Sequence, residues 1–148
     1  MIHSGLPILR KVRRQPEHEE QVKLFAWARN LAILAVHPEL ALLSCSLNGV
    51  KLSKAQAGKA KAAGMLKGEW DIRLPVARGQ YHGLIIEMKA GRNKLTDEQQ
   101  DYGQAMAREG WARAVCYSAD EAREDITWYL GLGPFVWCGA NPEPTVRK

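Results

Sequence analysis

The sequence predicts a single α/β domain in which helices flank a mixed central sheet. Helical and strand-like periodicities alternate in the order helix, strand, helix, strand, strand, helix, strand, helix, the pattern of helices layered on a sheet. The 148 residues, 46% of them hydrophobic, are enough for one real core and too few for two ordinary domains. No internal repeat and no apolar run of membrane-spanning length interrupts the alternation.

Residues 1–15 hold Arg10, Lys11, Arg13 and Arg14, a basic arm that either lies on phosphates or is a solvated tail. The domain itself is expected over 16–131. Pro16 suits a first helical position, Glu17, Glu19 and Glu20 complement the helix dipole, and Leu24, Phe25, Ala28, Leu31 and Ala32 form an apolar stripe, so one helix is expected to about Val36. After His37-Pro38 a short apolar run around 42–47 reads as a strand. Asn48-Gly49 follows, the dipeptide that best tolerates the positive φ of a tight turn.

Ser53 can cap a second helix, KAQAGKAKAAG, whose Lys54, Lys59 and Lys61 line up with Lys67, and Gly64 is a fitting stop. Two strands are expected next, from Trp70 to Val76 and from Gly83 to Lys89. Thr96 and Gln99 make a capping box, which opens a helix running to about Glu109 and ending at Gly110. Ala112 to Tyr117 alternates as a strand, and Ser118 with Glu121 caps a last helix ending near Leu130-Gly131. The tail, 132–148, is rich in Pro and Gly and carries an apolar Phe-Val-Trp run able to pack back on the core.

Composition narrows the partners. Lys and Arg number 21 against 16 Asp and Glu, a net charge of +5, which favours polyanions. Cys45, Cys116 and Cys138 are odd in number and in no CxxC spacing, against a disulfide framework or zinc site and for a reducing compartment. The four histidines fall in no ligand pattern. With no signal-peptide core at the start and no membrane span, a cytoplasmic protein is expected. No GxGxxG, Walker loop or nucleophile elbow suggests small-molecule chemistry.

The chemistry concentrates in GEWDIRLPVARGQYHGLIIEMKAG, residues 68–91. Side chains alternate faces along a strand, so Trp70, Ile72, Leu74 and Val76 should share one face, with Asp71 and Arg73 on the other. On the next strand Leu84, Ile86 and Met88 go together, opposite Ile85, Glu87 and Lys89. A hairpin centred on Gly79 pairs position 71 with 87 and sets two carboxylates about 5 Å apart on one face. Such anions repel unless a positive charge lies between them. Magnesium would serve, since it takes one or two carboxylates and fills its other sites with water and phosphate oxygen. Spacing alone also fits a solvated sheet face carrying a Glu87–Lys89 ion pair, with Asp71 incidental.

The runs GMLKGEWDIRLP, GLIIEMKAG and KLTDEQQDY resemble the VRR-NUC family of the PD-(D/E)xK nuclease superfamily, over roughly residues 17–130. The resemblance implies a restriction-endonuclease-like fold and hydrolysis of a DNA phosphodiester leaving a 5′-phosphate. Asp71, Glu87, Lys89 and Gln99 fall on the family's metal-binding aspartate, ExK pair and helix-opening glutamine, and Asn48-Gly49 matches its Asn-Gly turn. The family's first-helix acid and glutamine are best matched by Glu17 and Gln21, with Glu20 as rival. One departure is Trp70, which stands where the family usually has proline.

By this resemblance Mg2+ or Mn2+ would be held by Asp71, Glu87 and the backbone carbonyl of Met88, with Lys89 beside the attacking water. Asn48, Lys54, Lys59, Lys61, Lys67, Arg73, Arg92 and Lys94 are candidate DNA contacts. No sequence-reading module is visible, which favours recognition of DNA shape, as in four-way junctions or flaps, by a homodimer. A nicking or restriction-type endonuclease is the alternative in the same class. A DNA-binding protein that keeps the nuclease fold without activity is the alternative in another.

Overall fold

The computed structural model describes residues 16–140 and 146–147. The basic arm at 1–15 lies outside the described residues, as do 141–145 and 148 of the tail. The elements are α1 (Pro16–Ala28), α2 (Leu31–Val36), a 3-10 turn (Pro38–Leu42), β1 (Ser44–Cys45), α3 (Lys54–Ala62), β2 (Ile72–Leu74), β3 (Leu84–Met88), α4 (Asp97–Arg108), β4 (Ala112–Cys116), α5 (Ala119–Leu130) and β5 (Val146–Arg147). The sheet runs β1-β2-β3-β4-β5. The β1/β2 and β2/β3 pairs are antiparallel and the β3/β4 and β4/β5 pairs parallel, so the sheet is mixed.

Two faces are covered. On one, Leu24 and Ala28 of α1 and Ala122, Ile126 and Tyr129 of α5 pack with Ile72, Leu74, Leu84, Ile86, Met88, Ala112, Ala114 and Cys116. On the other, α4 approaches Trp70 and Arg113 at Gly103, and Trp70, Ile85 and Ala107 are buried outside the main cluster. A strand covered on both faces needs no polar alternation. All five residues of β3 are accordingly buried.

Several expectations change. The first helix does not run through to Val36, because Asn30 adopts an extended conformation and its side chain accepts from the Ala32 N–H at 2.9 Å, capping a separate α2. The strand expected around 42–47 shrinks to Ser44–Cys45, preceded by the proline-opened 3-10 turn. Asn48-Gly49 forms no positive-φ turn, since neither residue has positive φ; a Val50 N–H to Leu47 carbonyl bond closes the bend instead. β2 is shorter than expected and begins only at Ile72, so Trp70 escapes the strand's alternation and faces α4 rather than the Ile72 cluster. Most of the Phe-Val-Trp run stays exposed: Phe135 and Trp137 flank His82 at centroid distances of 5.2 and 5.8 Å, while Val136 bonds the Gly79 carbonyl. β5 follows in the tail, where no strand was expected. Among the described residues no helix is long and apolar enough to cross a membrane.

Candidate active site

The register of β2 and β3 positions the acids. Their pairs are Ile72 with Ile86, Arg73 with Ile85 and Leu74 with Leu84, so the next pair outward is Asp71 with Glu87. At that point the backbone ladder gives way to side chains. Glu87 Oε2 accepts from the Asp71 N–H at 3.2 Å, and Asp71 Oδ2 accepts from the Met88 N–H at 2.9 Å. Each carboxylate is thus oriented by the backbone of the opposite strand, and the buried N–H groups there find acceptors.

A solvated face is excluded, because Glu87 is 2% exposed and Lys89 8%. Lys89 Nζ lies 3.0 Å from Glu87 Oε1 and donates to Gln99 Oε1 at 2.8 Å. Gln99 Nε2 in turn donates to Glu87 Oε1. The same Gln99 completes the capping box of α4, where its Oε1 also accepts from the Thr96 N–H at 3.0 Å. Capping and contact with the acid–lysine pair hold together in Gln99.

The electrostatics follow from burial. Glu87 is pushed up to about 7, first by loss of water and then by the Asp71 charge, with Lys89 pulling the other way. Asp71 is also raised by burial, and the Glu17 charge adds to the rise, while the Met88 N–H and Lys89 oppose it. Lys89 is therefore a single cation facing two carboxylates that burial already disfavours as anions.

Glu17 and Glu20 diverge. Glu17 Oε1 accepts from the Ala90 N–H at 3.0 Å and from Asn93 Nδ2 at 3.3 Å, beside the ExK strand. Glu20 instead binds Lys23 and, through Oε2, the Ala119 N–H at the start of α5. Of the two, Glu17 is the one near the acids. Among the described residues no three His, Cys, Asp or Glu side chains converge as a ready metal cage. The donor set available is Asp71 and Glu87, all oxygen, which suits a hard cation that completes its shell with water or phosphate. Met88 buries its side chain in the apolar cluster, so only its main chain faces the acids.

The candidate DNA contacts divide. Lys54, Lys59 and Lys61 are exposed on α3, a helix with no buried residue, and Arg92 and Lys94 are exposed after β3. Lys67 pairs with Glu98, and Arg73 with Glu69. Asn48 Nδ2 donates to the carbonyls of Leu66 and Glu69, both at 2.9 Å, so its amide braces the loop before Asp71. A cleft of about 250 Å3 lies there, with Asn48, Lys67, Gly68 and Glu69 on one wall and Thr96, Glu98 and Gln99 on the other. Gly68 is required at this wall: its φ is +82°, and a Cβ would stand 2.5 Å from the Glu98 carbonyl oxygen.

Two supporting residues escaped sequence reasoning. Tyr117 holds the 90–94 loop through its hydroxyl bond to the Asn93 carbonyl at 3.1 Å, and nothing local to Tyr117 signals that contact. Trp70 donates its indole N–H to the Gln99 carbonyl at 2.7 Å; its signal in the sequence was only that it replaced a proline.

The sequence matches no family model and no curated protein. Among solved structures it is similar to one described as a VRR_NUC domain protein, at 28% identity and a TM-score of 0.68, covering 88% of this chain and 99% of the other. Likeness over that length agrees with a restriction-endonuclease-like fold and a function of the nuclease type. With the Asp71, Glu87 and Lys89 motif set on such a fold, that likeness supports assignment of the chain to the VRR-NUC family of the PD-(D/E)xK nuclease superfamily.

Proposed function

We propose that the chain is a Mg2+- or Mn2+-dependent DNA endonuclease that acts on branched DNA, such as four-way junctions or flaps, as a homodimer. The observation that carries this reading is the buried pair of cross-strand acids, Asp71 and Glu87, with Lys89 at 3.0 Å from Glu87. A module that only binds DNA has no use for clustered acids beside phosphate, which they repel.

Asp71 and Glu87 would hold the cation, with the Met88 carbonyl as a further oxygen and Glu17 near enough to add negative charge. When bound, a divalent cation lowers the pKa of its water and offsets charge building on the phosphate. The chain's own residues supply the rest. Gln99 Oε1 tethers Lys89 Nζ, and Lys89 then orients the attacking water and donates to the phosphate oxygens as their charge grows. Gln99 Nε2 fixes Glu87. The exposed lysines of α3 hold the DNA backbone without reading bases. Two cuts in a branched substrate call for two sites, which a two-fold dimer of so small a domain provides.

The test uses labelled four-way junctions, flaps, duplexes and single strands, with magnesium, manganese or chelator, beside a Glu87→Ala control. Metal-dependent cutting of branched substrates that the substitution abolishes is the expected result. Binding of every substrate without cutting by either metal would overturn the reading in favour of a DNA-binding protein.

A further inference from the structure

Gln99 is the α4 side chain that bonds both Glu87 and Lys89, and its position depends on where the first turn of α4 sits. That turn is fixed at two points. The Thr96 capping box fixes its start. The second point is Trp70, whose indole N–H bonds the main-chain carbonyl of Gln99 at 2.7 Å. One turn further along α4, Gly103 leaves the space that the indole fills, since a Cβ there would stand 2.6 Å from the ring's Cζ2. Trp70 is 2% exposed and immediately precedes Asp71, so it ties the segment that supplies one acid to the helix that supports the other.

We propose that Trp70 is a positioning residue. By holding the Gln99 main chain, it sets the one amide side chain that binds Glu87 Oε1 through Nε2 and Lys89 Nζ through Oε1. A proline at position 70 could neither make this bond nor fill the space beside Gly103. The chain therefore locks α4 to the segment that carries Asp71 through this bond and this packing. The kinetic part of this inference rests on the nuclease reading, whereas the structural part does not.

The test is Trp70→Phe, which keeps a buried ring and deletes the N–H. Gly103→Ala serves as an independent variant that displaces the indole from the other side. Both are compared with Gln99→Ala and with the Trp70→Phe/Gln99→Ala double variant. In the single Trp70 and Gly103 variants kcat should fall by about tenfold with KM for DNA unchanged, as expected when a group already in the site is misplaced. The double variant should be no slower than Gln99→Ala alone, because Trp70 acts only through Gln99. Independently of any activity, the side-chain amide resonances of Gln99 in the metal-free chain should shift or broaden in Trp70→Phe. Multiplicative losses in the double variant, or Gln99 amide resonances unchanged in Trp70→Phe, would overturn the proposal. If the wild-type chain cuts nothing, the nuclease reading fails, and the amide resonances alone still decide whether Trp70 positions Gln99.

Discussion

Replacing Glu87 with glutamine should abolish cleavage and, in the metal-free protein at pH 8, raise stability. The carboxyl sits at about 7 in the fold against its ordinary 4.5. At about 1.4 kcal/mol per pH unit, the folded anion is disfavoured by roughly 3 kcal/mol. Stability from this group is fully present below pH 4.5, where the carboxyl is protonated folded or unfolded, and is lost as pH rises through about 7. Glutamine removes the charge but offers one oxygen where the carboxylate uses two, so about 1 kcal/mol of hydrogen bonding is forfeited. The net gain at pH 8 is about 2 kcal/mol, or roughly 6 °C in Tm for a domain of this size. Below pH 4.5 the order should reverse by about 1 kcal/mol. Thermal unfolding of both proteins in chelator from pH 4 to 8.5 reads this as two crossing curves. A wild-type curve flat between pH 4.5 and 7, or a variant less stable throughout, would refute the burial argument.

Other outcomes follow from the same geometry. Magnesium at pH 8 should raise the wild-type Tm, with each tenfold excess over the dissociation constant adding about 1.4 kcal/mol; Asp71→Asn should erase that rise, and calorimetric titration would show whether it does. The Lys59→Ala/Lys61→Ala double variant should lower the slope of log affinity for DNA against log salt by about 2, because each backbone contact contributes about 0.9, and fluorescence anisotropy across a salt series measures it. Asn48→Ala deprives the carbonyls of Leu66 and Glu69 of their donor and should destabilise the fold by about 1–3 kcal/mol. Chemical denaturation checks that last value, and a loss of DNA affinity with stability unchanged would instead mark Asn48 as a DNA contact.

The register of β2 and β3 was legible because the alternation of Ile72, Arg73 and Leu74 and the glycine at 79 constrain it together, and a slip of one residue would turn Ile72 and Leu74 to the wrong face. The cap at Ser53 and the capping box at Thr96 were legible for a similar reason: cap and partner lie within one turn of each other. The break at Asn30 was not, since asparagine inside an apolar stripe is tolerated in a helix and becomes a cap only if the chain must bend there. Ser44–Cys45 could not be separated from the 3-10 turn by periodicity, both being short apolar pieces. At the site, Asp71, Glu87 and Lys89 announced themselves as charges in apolar strands. Trp70 and Tyr117 did not, because each acts through a main-chain carbonyl 24 to 29 residues away, and a backbone acceptor leaves no mark in the sequence.

The charge balance around the acids argues for a cation beyond the chain's own. Lys89 is one positive charge buried with Asp71 and Glu87, and Glu17 is close enough to raise Asp71 further. A phosphate brought to this cluster by the lysines of α3 alone would meet an excess of negative charge at the point of reaction. The N–H bonds that orient Asp71 and Glu87 come from neutral backbone groups, so they fix direction without cancelling charge. The fold therefore maintains two oriented carboxylates at an electrostatic disadvantage that only an added positive charge, or protonation near pH 7 at Glu87, relieves. Protonation would silence the site as a metal ligand, so metal affinity should weaken as the pH falls below about 7, in the direction opposite to metal-free stability. That opposition separates a metal site from a merely strained ion pair, which would show the change in stability with no metal affinity to lose.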